Sequence, residues 1–170
     1  MEISTNTNFR DFSENNMISC SLGRDVTRIG VESFADCTNL QYVNITKNLA
    51  TIEMNAFKNC RSLSAIHGEL NLKELDEGAF KFCHTLQSID LSCSSIEYIP
   101  KECFYDCWSL RTIVIPSSVK IIYEDSFCYC RSLKSITIPK NVERICHFAF
   151  MNCKNLTTIK FLNPSTRIDY

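Results

Sequence analysis

Phenylalanine recurs along this 170-residue chain at an almost constant interval. Six phenylalanines stand 23 or 24 residues apart, namely Phe34, Phe57, Phe80, Phe104, Phe127 and Phe150. Each is followed by a cysteine three residues later and a leucine six residues later, and is preceded by an isoleucine or leucine five residues earlier. A fixed period of roughly 20 to 50 residues is the signature of a repeat protein. The apolar pattern therefore predicts a solenoid of stacked units.

The segment that follows each repeated leucine has the alternating apolar and polar residues of a β-strand. In the unit that contains Leu133, Ile136 and Ile138 stand two residues apart and so point to the same face. Pro116 and Pro139 end two of these strands, because proline cannot donate to a strand ladder. Stacking places the strands in parallel, about 4.8 Å apart, and buries a continuous core that no single unit could form.

The return side of each unit has a different spacing. Val119 and Ile122 are three residues apart, and Phe127 and Cys130 follow with the same separation. This spacing predicts a short extended piece followed by a helical turn. The predicted fold class is an α/β-type solenoid with about seven stacked parallel strands and short helical turns on the return side.

A partial unit precedes the first complete one. Residues 17–22 have the spacing of a strand, and the last predicted strand lies at residues 156–161. The predicted organisation is a polar N-terminal segment at residues 1–16, a solenoid at residues 17–162 and a tail at residues 163–170.

Two irregularities interrupt the repeat. The single interval of 24 residues lies between Phe80 and Phe104, and its extra residue is predicted in the loop at residues 92–95. Gly68 stands where the third strand should carry an isoleucine, so this strand is predicted to be the weakest copy.

The net charge and the lack of long apolar runs limit the kinds of partner that the sequence predicts. The formal net charge of −1 favours neither nucleic acid nor an anionic membrane as a partner. Residues 1–16 lack the apolar run of a secretory signal peptide, and no segment reaches the roughly 18 apolar residues of a membrane helix. The sequence predicts neither nucleic-acid binding nor membrane insertion.

The consensus unit, A/S-F-x-x-C-x-x-L-x-x-I-x-I-P-x-x-V-x-x-I, resembles the BspA-type leucine-rich repeat. The unit from Ser126 to Ile145 carries all of its positions, and the resemblance extends over residues 17–162. It implies a protein-binding solenoid at a cell surface, with a role in adhesion or host interaction, as in members from oral and gut bacteria and parasitic protists. The absence of a signal-peptide pattern leaves the cytoplasm as the alternative compartment.

The chain contains eleven cysteines. Six form the repeat column, namely Cys37, Cys60, Cys83, Cys107, Cys130 and Cys153. In a parallel ladder these side chains point the same way, which favours small buried side chains over disulfides or metal ligands. Cys20 occupies an inward strand position, whereas Cys93, Cys103, Cys128 and Cys146 are predicted to be partly accessible to solvent.

Outward positions of the strands form the candidate partner-binding face. Its candidate contacts on the strands are Tyr42, Asn44, His67, Asp90, Thr112, Val114, Thr137 and Lys160. Trp108 is a further candidate contact, because it interrupts a column of otherwise polar residues and should be partly exposed. His67 and Asp90 should be neighbours, and such a pair can serve in acid–base chemistry. No nucleophile or oxyanion donor accompanies them, so a polar contact point is favoured. Whether Trp108 binds a partner or packs against an edge is open.

These patterns predict a non-enzymatic protein–protein interaction module, without catalytic residues, metal or cofactor, whose protein partner the sequence does not identify. One alternative is a structural or self-assembling protein whose solenoid ends stack, because no strongly polar cap follows Phe161. A second alternative is an intracellular scaffold.

Overall fold

In the computed structural model, seven coils stack into a solenoid, and the structure describes residues 2–3 and 16–169. A complete coil comprises a long strand, a two-residue strand and a turn centred on one of the repeat phenylalanines. This architecture confirms the predicted fold of stacked parallel strands. The predicted N-terminal segment lies mostly outside the described residues, and the predicted domain boundaries stay a prediction.

The long strands form the first ladder. They are β2 (Ser19–Leu22), β4 (Tyr42–Asn44), β6 (Ala65–His67), β8 (Ser88–Asp90), β10 (Thr112–Val114), β12 (Ser135–Ile138) and β14 (Thr158–Phe161). Every pairing is parallel, and the sheets have the orders β2–β4–β6, β8–β10 and β12–β14. A short strand, β1 (Glu2–Ile3), adds to the free edge of β2.

The two-residue strands form a second ladder. They are β3 (Arg28–Ile29), β5 (Thr51–Ile52), β7 (Glu74–Leu75), β9 (Tyr98–Ile99), β11 (Ile121–Ile122), β13 (Arg144–Ile145) and β15 (Arg167–Ile168). They pair in parallel as β3–β5–β7 and β9–β11–β13–β15. β15 lies within residues 163–170, so the second ladder continues into the segment predicted as a tail.

The phenylalanine segments form turns rather than helices. Within residues 16–169 no helix is formed, so the predicted helical turns are wrong. The reason is a left-handed residue two positions before and two positions after each phenylalanine, with φ between 53° and 64°: Glu32, Asp36, Asn55, Asn59, Gly78, Phe82, Glu102, Asp106, Asp125, Tyr129, Phe148 and Asn152. Half are Asn or Asp, the side chains that best tolerate this conformation. No helix of the described residues could cross a membrane.

Because left-handed residues alternate with right-handed ones in each turn, every second N–H group points along the solenoid axis toward the next coil. In the first coil the N–H groups of Glu32, Phe34 and Asp36 donate to carbonyl oxygens of the second coil at 3.0, 2.8 and 2.8 Å. The same pattern continues at each following phenylalanine as far as Phe127. The turns thus form a third ladder, which satisfies backbone groups that an isolated turn would leave unpaired.

The repeat phenylalanines stack at the centre of the core. The centroids of successive rings lie 5.1, 5.3, 5.5, 5.4 and 5.2 Å apart, and the rings are within 7° of parallel. Five of the six rings are fully buried, and Phe150 is partly covered. The column therefore joins the hydrophobic interior of one coil to that of the next.

Each ladder cysteine after the first donates its thiol to the preceding coil. The Sγ atoms lie 3.0–3.2 Å from the carbonyl oxygen of the previous repeat phenylalanine, at Cys60, Cys83, Cys107, Cys130 and Cys153. The column of free thiols thus contributes hydrogen bonds as well as packing. Burial raises the pKa of these thiols, to about 11 at Cys153.

Three of the four cysteines outside the column are less accessible than predicted. Cys103, Cys128 and Cys146 are buried, whereas Cys93 is exposed. Cys103 occupies the small inward position before Phe104, the same position as Ala56 in an earlier coil. Its burial follows from the repeat, and the prediction of accessibility was wrong at all three sites.

We expect one cysteine of the folded protein to react with a thiol reagent such as Ellman's reagent well before the other ten. That residue is Cys93, because the nine fully buried thiols are shielded and Cys153 is partly covered. Denaturant should release the remaining ten. Cys93→Ser should abolish the fast phase, and a fast phase that survives in this variant would contradict the structure.

The extra residue of the 24-residue repeat lies between β8 and β9. The pairing of Ser88 with Thr112 spans 24 residues, whereas that of Tyr98 with Ile121 spans 23. This agrees with the predicted insertion at residues 92–95. Neither β6 and β8 nor β7 and β9 are paired strands, so both strand ladders are interrupted between the third and fourth coils.

Ser94 bridges this interruption. Its buried hydroxyl donates to the Leu70 carbonyl oxygen at 2.8 Å and accepts from the Leu72 N–H at 3.1 Å. We expect Ser94→Ala to lower the free energy of unfolding by about 1–3 kcal/mol, because it leaves two buried backbone groups without a hydrogen-bond partner. Urea denaturation measures this loss. Ser95→Ala, at an exposed neighbour, is the control and should change it by less than about 0.5 kcal/mol.

Gly68 is required by the close approach of the second coil. Its φ is 118°, and a Cβ atom there would lie 2.7 Å from the carbonyl oxygen of Ile45. The missing isoleucine therefore reflects a backbone position that only glycine fits.

Candidate interaction surfaces

The outward side of the long-strand ladder is the first candidate surface. The strand register aligns Asn44 with His67, Asp90 with Val114, and Thr137 with Lys160. Tyr42 and His67 contact each other edge to face, with ring centroids 5.6 Å apart. These side chains are exposed apart from Asn44, which is half-buried and donates to the Ser21 hydroxyl at 2.9 Å. Along β4, β6 and β8 the face presents separate polar and aromatic side chains.

His67 and Asp90 do not form an ion pair in the described part of the chain. Asp90 accepts a hydrogen bond from the N–H of Ser92 at 2.8 Å, and the bonds from Ser92 lower the pKa of its carboxyl group. His67 contacts Tyr42 instead. The two residues lie on β6 and β8, which are not hydrogen-bonded neighbours, because the ladder is interrupted there.

Coils five and six carry a groove on this same face. It has a volume of about 460 Å³ and lies where β10 and β12 are not paired. Ile113 and Ile136 line it together with the hydroxyl groups of Thr112 and Thr137, and Val114 is 47% exposed beside them. This is the most apolar part of the candidate face.

Trp108 lies on a different side of the solenoid, directly after the cysteine column. It is 42% exposed, which confirms the predicted partial exposure. The His84 ring stacks on the indole with centroids 4.2 Å apart and planes within 7°, and the Arg131 guanidinium lies 5.2 Å from the indole centroid. Trp108 thus packs between residues of neighbouring coils, and the structure does not bring it together with the long-strand face.

Asp106 orients this stack. Its Oδ1 atom accepts a hydrogen bond from Trp108 Nε1, and its Oδ2 atom lies 3.5 Å from His84 Nε2. Burial lowers the pKa of His84, and the nearby Arg61 and Arg131 add to this effect, whereas Asp106 opposes it. His84 is therefore neutral at physiological pH.

A second line of aromatic rings runs beside the stack. Phe82, Tyr105 and Tyr129 contact each other edge to face, with centroids 5.7 and 5.6 Å apart. Lys81 lies 5.3 Å and 5.0 Å from the first two ring centroids and pairs with Glu102. These contacts hold the rings in place within the protein.

Next to the stack is a polar cleft that the spacing of apolar residues did not predict. It has a volume of about 420 Å³ and is lined by Asp36, Lys58, Asn59, Arg61, Phe82, His84 and Asp106. In the column that contains Arg61, His84 and Trp108, only the tryptophan indicated a contact site. The combination of cationic and aromatic residues in this column was the available signal.

No catalytic arrangement emerges from these surfaces. In residues 16–169 no group of three or more His, Cys, Asp or Glu side chains is placed to hold a metal ion. The accessible thiol, Cys93, has a raised pKa, chiefly because of Glu69, which disfavours the nucleophilic thiolate.

The last coil leaves apolar side chains uncovered. Ile159, Phe161, Leu162 and Ile168 are 36–50% exposed, whereas the equivalent interior positions of the coil before are almost fully buried. The strands β14 and β15 each pair on one side only among the described residues.

A sequence profile of the BspA-type leucine-rich repeat region, which comprises six copies, matches residues 5–134 and 120–170. The chain belongs to the BspA-type leucine-rich repeat family. No sequence among curated proteins matches it. The family resemblance seen in the repeat columns is thereby confirmed.

Solved leucine-rich repeat structures share the solenoid of this BspA-type chain. A protein from Bacteroides ovatus is 26% identical over 98% of this chain and 43% of its own, with a TM-score of 0.86. A leucine-rich cell surface protein from Faecalibacterium prausnitzii is 28% identical over 96% and 43%, with a TM-score of 0.80. The T. pallidum leucine-rich repeat protein is 25% identical over 91% and 74%, with a TM-score of 0.82. The chain spans less than half the length of the first two.

Proposed function

We propose that this chain is a non-enzymatic protein-binding module that acts through the outward face of its long strands. The supporting observation is a difference in residue variation between the inward and outward positions of each coil. Inward columns repeat similar residue types in nearly every coil, whereas outward positions such as Tyr42, Asp90 and Lys160 differ from coil to coil. Solenoids commonly use such extended faces for binding.

More specifically, we propose that the chain takes part in adhesion or host interaction at a cell surface. Its support is the membership in the BspA-type family and the likeness to a leucine-rich cell surface protein. The apolar groove beside Val114 would supply the main buried contact, and the hydroxyl groups of Thr112 and Thr137 would form its polar rim.

Site-specific photocrosslinking tests the face. A benzoylphenylalanine placed at Thr112 or Thr137 should capture the same protein from host or self lysates. The same probe at Thr51 or Tyr98, on the second ladder, is the matched control and should not capture it. Capture only from the second ladder would contradict the proposal.

A second candidate function is self-assembly through the last coil. The exposed Phe161 and Ile168 support it, because apolar patches favour association. Light scattering after size exclusion should give an oligomer that Phe161→Glu converts to a monomer. A concentrated wild-type chain that remains monomeric would contradict this function.

A further inference from the structure

The polar cleft beside Trp108 contains two cationic side chains, Lys58 and Arg61, that form no direct ion pair in the described part of the chain. Arg61 Nε donates to Asn59 Oδ1 at 2.7 Å, and Asn59 in turn donates to Asp36 Oδ1 at 2.5 Å. The guanidinium group is therefore held at the cleft by one nitrogen, while its terminal amino groups remain for a ligand.

We propose that this cleft binds carboxylate side chains from an acidic segment of a protein partner. The proposal rests on the protein-binding function and adds a second contact site on another side of the solenoid. Arg61 would form paired hydrogen bonds with one carboxylate, and Lys58 would supply the second charge. Phe82 lines the same cleft and offers an apolar surface for the methylene groups of a glutamate.

The other lining residues favour a singly charged carboxylate over a phosphate. Asp36 and Asp106 both line the cleft, so the two cationic charges are nearly balanced before a ligand arrives. His84 adds no charge, because burial keeps its ring neutral. Because the charges of the cleft nearly cancel, a group with almost two negative charges gains little net attraction there, whereas removing it from water costs more than removing a monoanion.

The size and preorganisation of the cleft also suit a side chain. Its volume of about 420 Å³ lies in the range of ligand sites and is too small for a folded element. Its far wall is fixed by the stack of His84 on Trp108 and by the bond from Trp108 to Asp106. A ligand would therefore enter a site whose walls are already ordered, which limits the entropy lost on binding.

Fluorescence anisotropy with a labelled octapeptide of alternating glutamate and alanine tests the proposal. The wild-type chain should bind this peptide, and Arg61→Gln and Lys58→Gln should each weaken binding about tenfold. Asp36→Asn should tighten it about threefold, because it removes a repelling charge and keeps a residue suited to the left-handed φ of 62°. An octapeptide of alternating lysine and alanine should not bind.

Lys134→Gln is the matched control, since it removes one exposed positive charge from a different coil. It should leave peptide affinity within about twofold of the wild type. Equal affinity of the wild type and Arg61→Gln would overturn the proposal. Displacement of the peptide by inorganic phosphate at a lower concentration than by glutamate would also overturn it, because the site would then prefer phosphate.

The single tryptophan gives an independent readout. Trp108 borders the cleft through its stack on His84, so its emission should change when the acidic octapeptide binds and should not change in Arg61→Gln. Photocrosslinking from Thr112 or Thr137 that persists in Arg61→Gln, without peptide binding by the wild type, would leave the protein-binding function intact and reject the acidic cleft alone.

Discussion

Between about pH 8.5 and pH 10.5 the reduced protein is expected to lose most of its stability, because its core contains a column of neutral thiols. Burial raises the pKa of Cys60, Cys83, Cys103, Cys107 and Cys130 well above the ordinary thiol value. It also raises the pKa of Cys20 and Cys37 to about 11.

The sign of this pH dependence follows from whether the folded or the unfolded state keeps the thiol proton to the higher pH. In the unfolded chain a thiol loses its proton near pH 8.5, whereas the buried thiol keeps it to a higher pH. Stability is therefore complete below the unfolded pKa and falls as the pH rises toward the folded pKa. At pH 10 each deeply buried thiol costs about 2 kcal/mol. Five such thiols cost roughly 10 kcal/mol, which is comparable to the whole stability of a typical domain.

Urea denaturation at a series of pH values, with a phosphine reductant present, measures this loss. The exposed Cys93 provides the control, since Cys93→Ser should change the alkaline midpoint much less than replacement of a buried thiol does. A variant with Cys60→Ala and Cys83→Ala should show a shallower pH dependence, equivalent to about two fewer protons released on unfolding. An unchanged slope in this variant would show that other groups control alkaline unfolding.

Replacing Phe80 by alanine is expected to lower the free energy of unfolding by about 3–5 kcal/mol. The ring is fully buried and stacks between Phe57 and Phe104, with centroids 5.3 and 5.5 Å away. Its removal leaves a cavity in the column and separates the interiors of two blocks of coils.

Chemical denaturation with a circular-dichroism readout measures this effect. Phe148→Ala removes the same atoms from a ring that is 57% exposed, and should cost less than about 0.5 kcal/mol. A similar loss in both variants would mean that the stacked column contributes no more than the surface ring.

Much of the fold could be predicted because interior packing repeats in the sequence. Each ring of the column contacts the equivalent ring of the next coil, so the position of Phe57 was fixed by that of Phe34. The same reasoning located the seven long strands and the insertion before β9. The stacked fold therefore needed no information beyond the spacing of apolar residues.

The turns could not be predicted in the same way. A step of three residues from Phe127 to Cys130 fits a helical turn and also fits the alternation of right- and left-handed residues that forms. Asp36 and Asn59, each two residues after a phenylalanine, were the available sign of left-handed backbone. Phe82 and Tyr129 occupy the same position, and their side chains give no such indication.

The candidate sites were predicted only in part. The spacing of strands placed Thr112 and Thr137 on the outward face, but it could not reveal that β6 and β8 are unpaired, which separates His67 from Asp90. The cleft depends on side-chain directions after the cysteine column. Those directions follow from the turn geometry, which the spacing of apolar residues left undetermined.

The solenoid has fewer strand hydrogen bonds between the third and fourth coils than between most other coils, so we expect bending to concentrate there. Both strand ladders stop there, while the turn ladder continues through the hydrogen bonds from Phe80 to Cys103 and from Phe82 to Tyr105. Bending about this line would change the curvature of the outward face without disturbing either block of coils. A partner that contacts both blocks would then select one curvature, and its affinity would depend on how stiffly Ser94 and the turn ladder hold the blocks together.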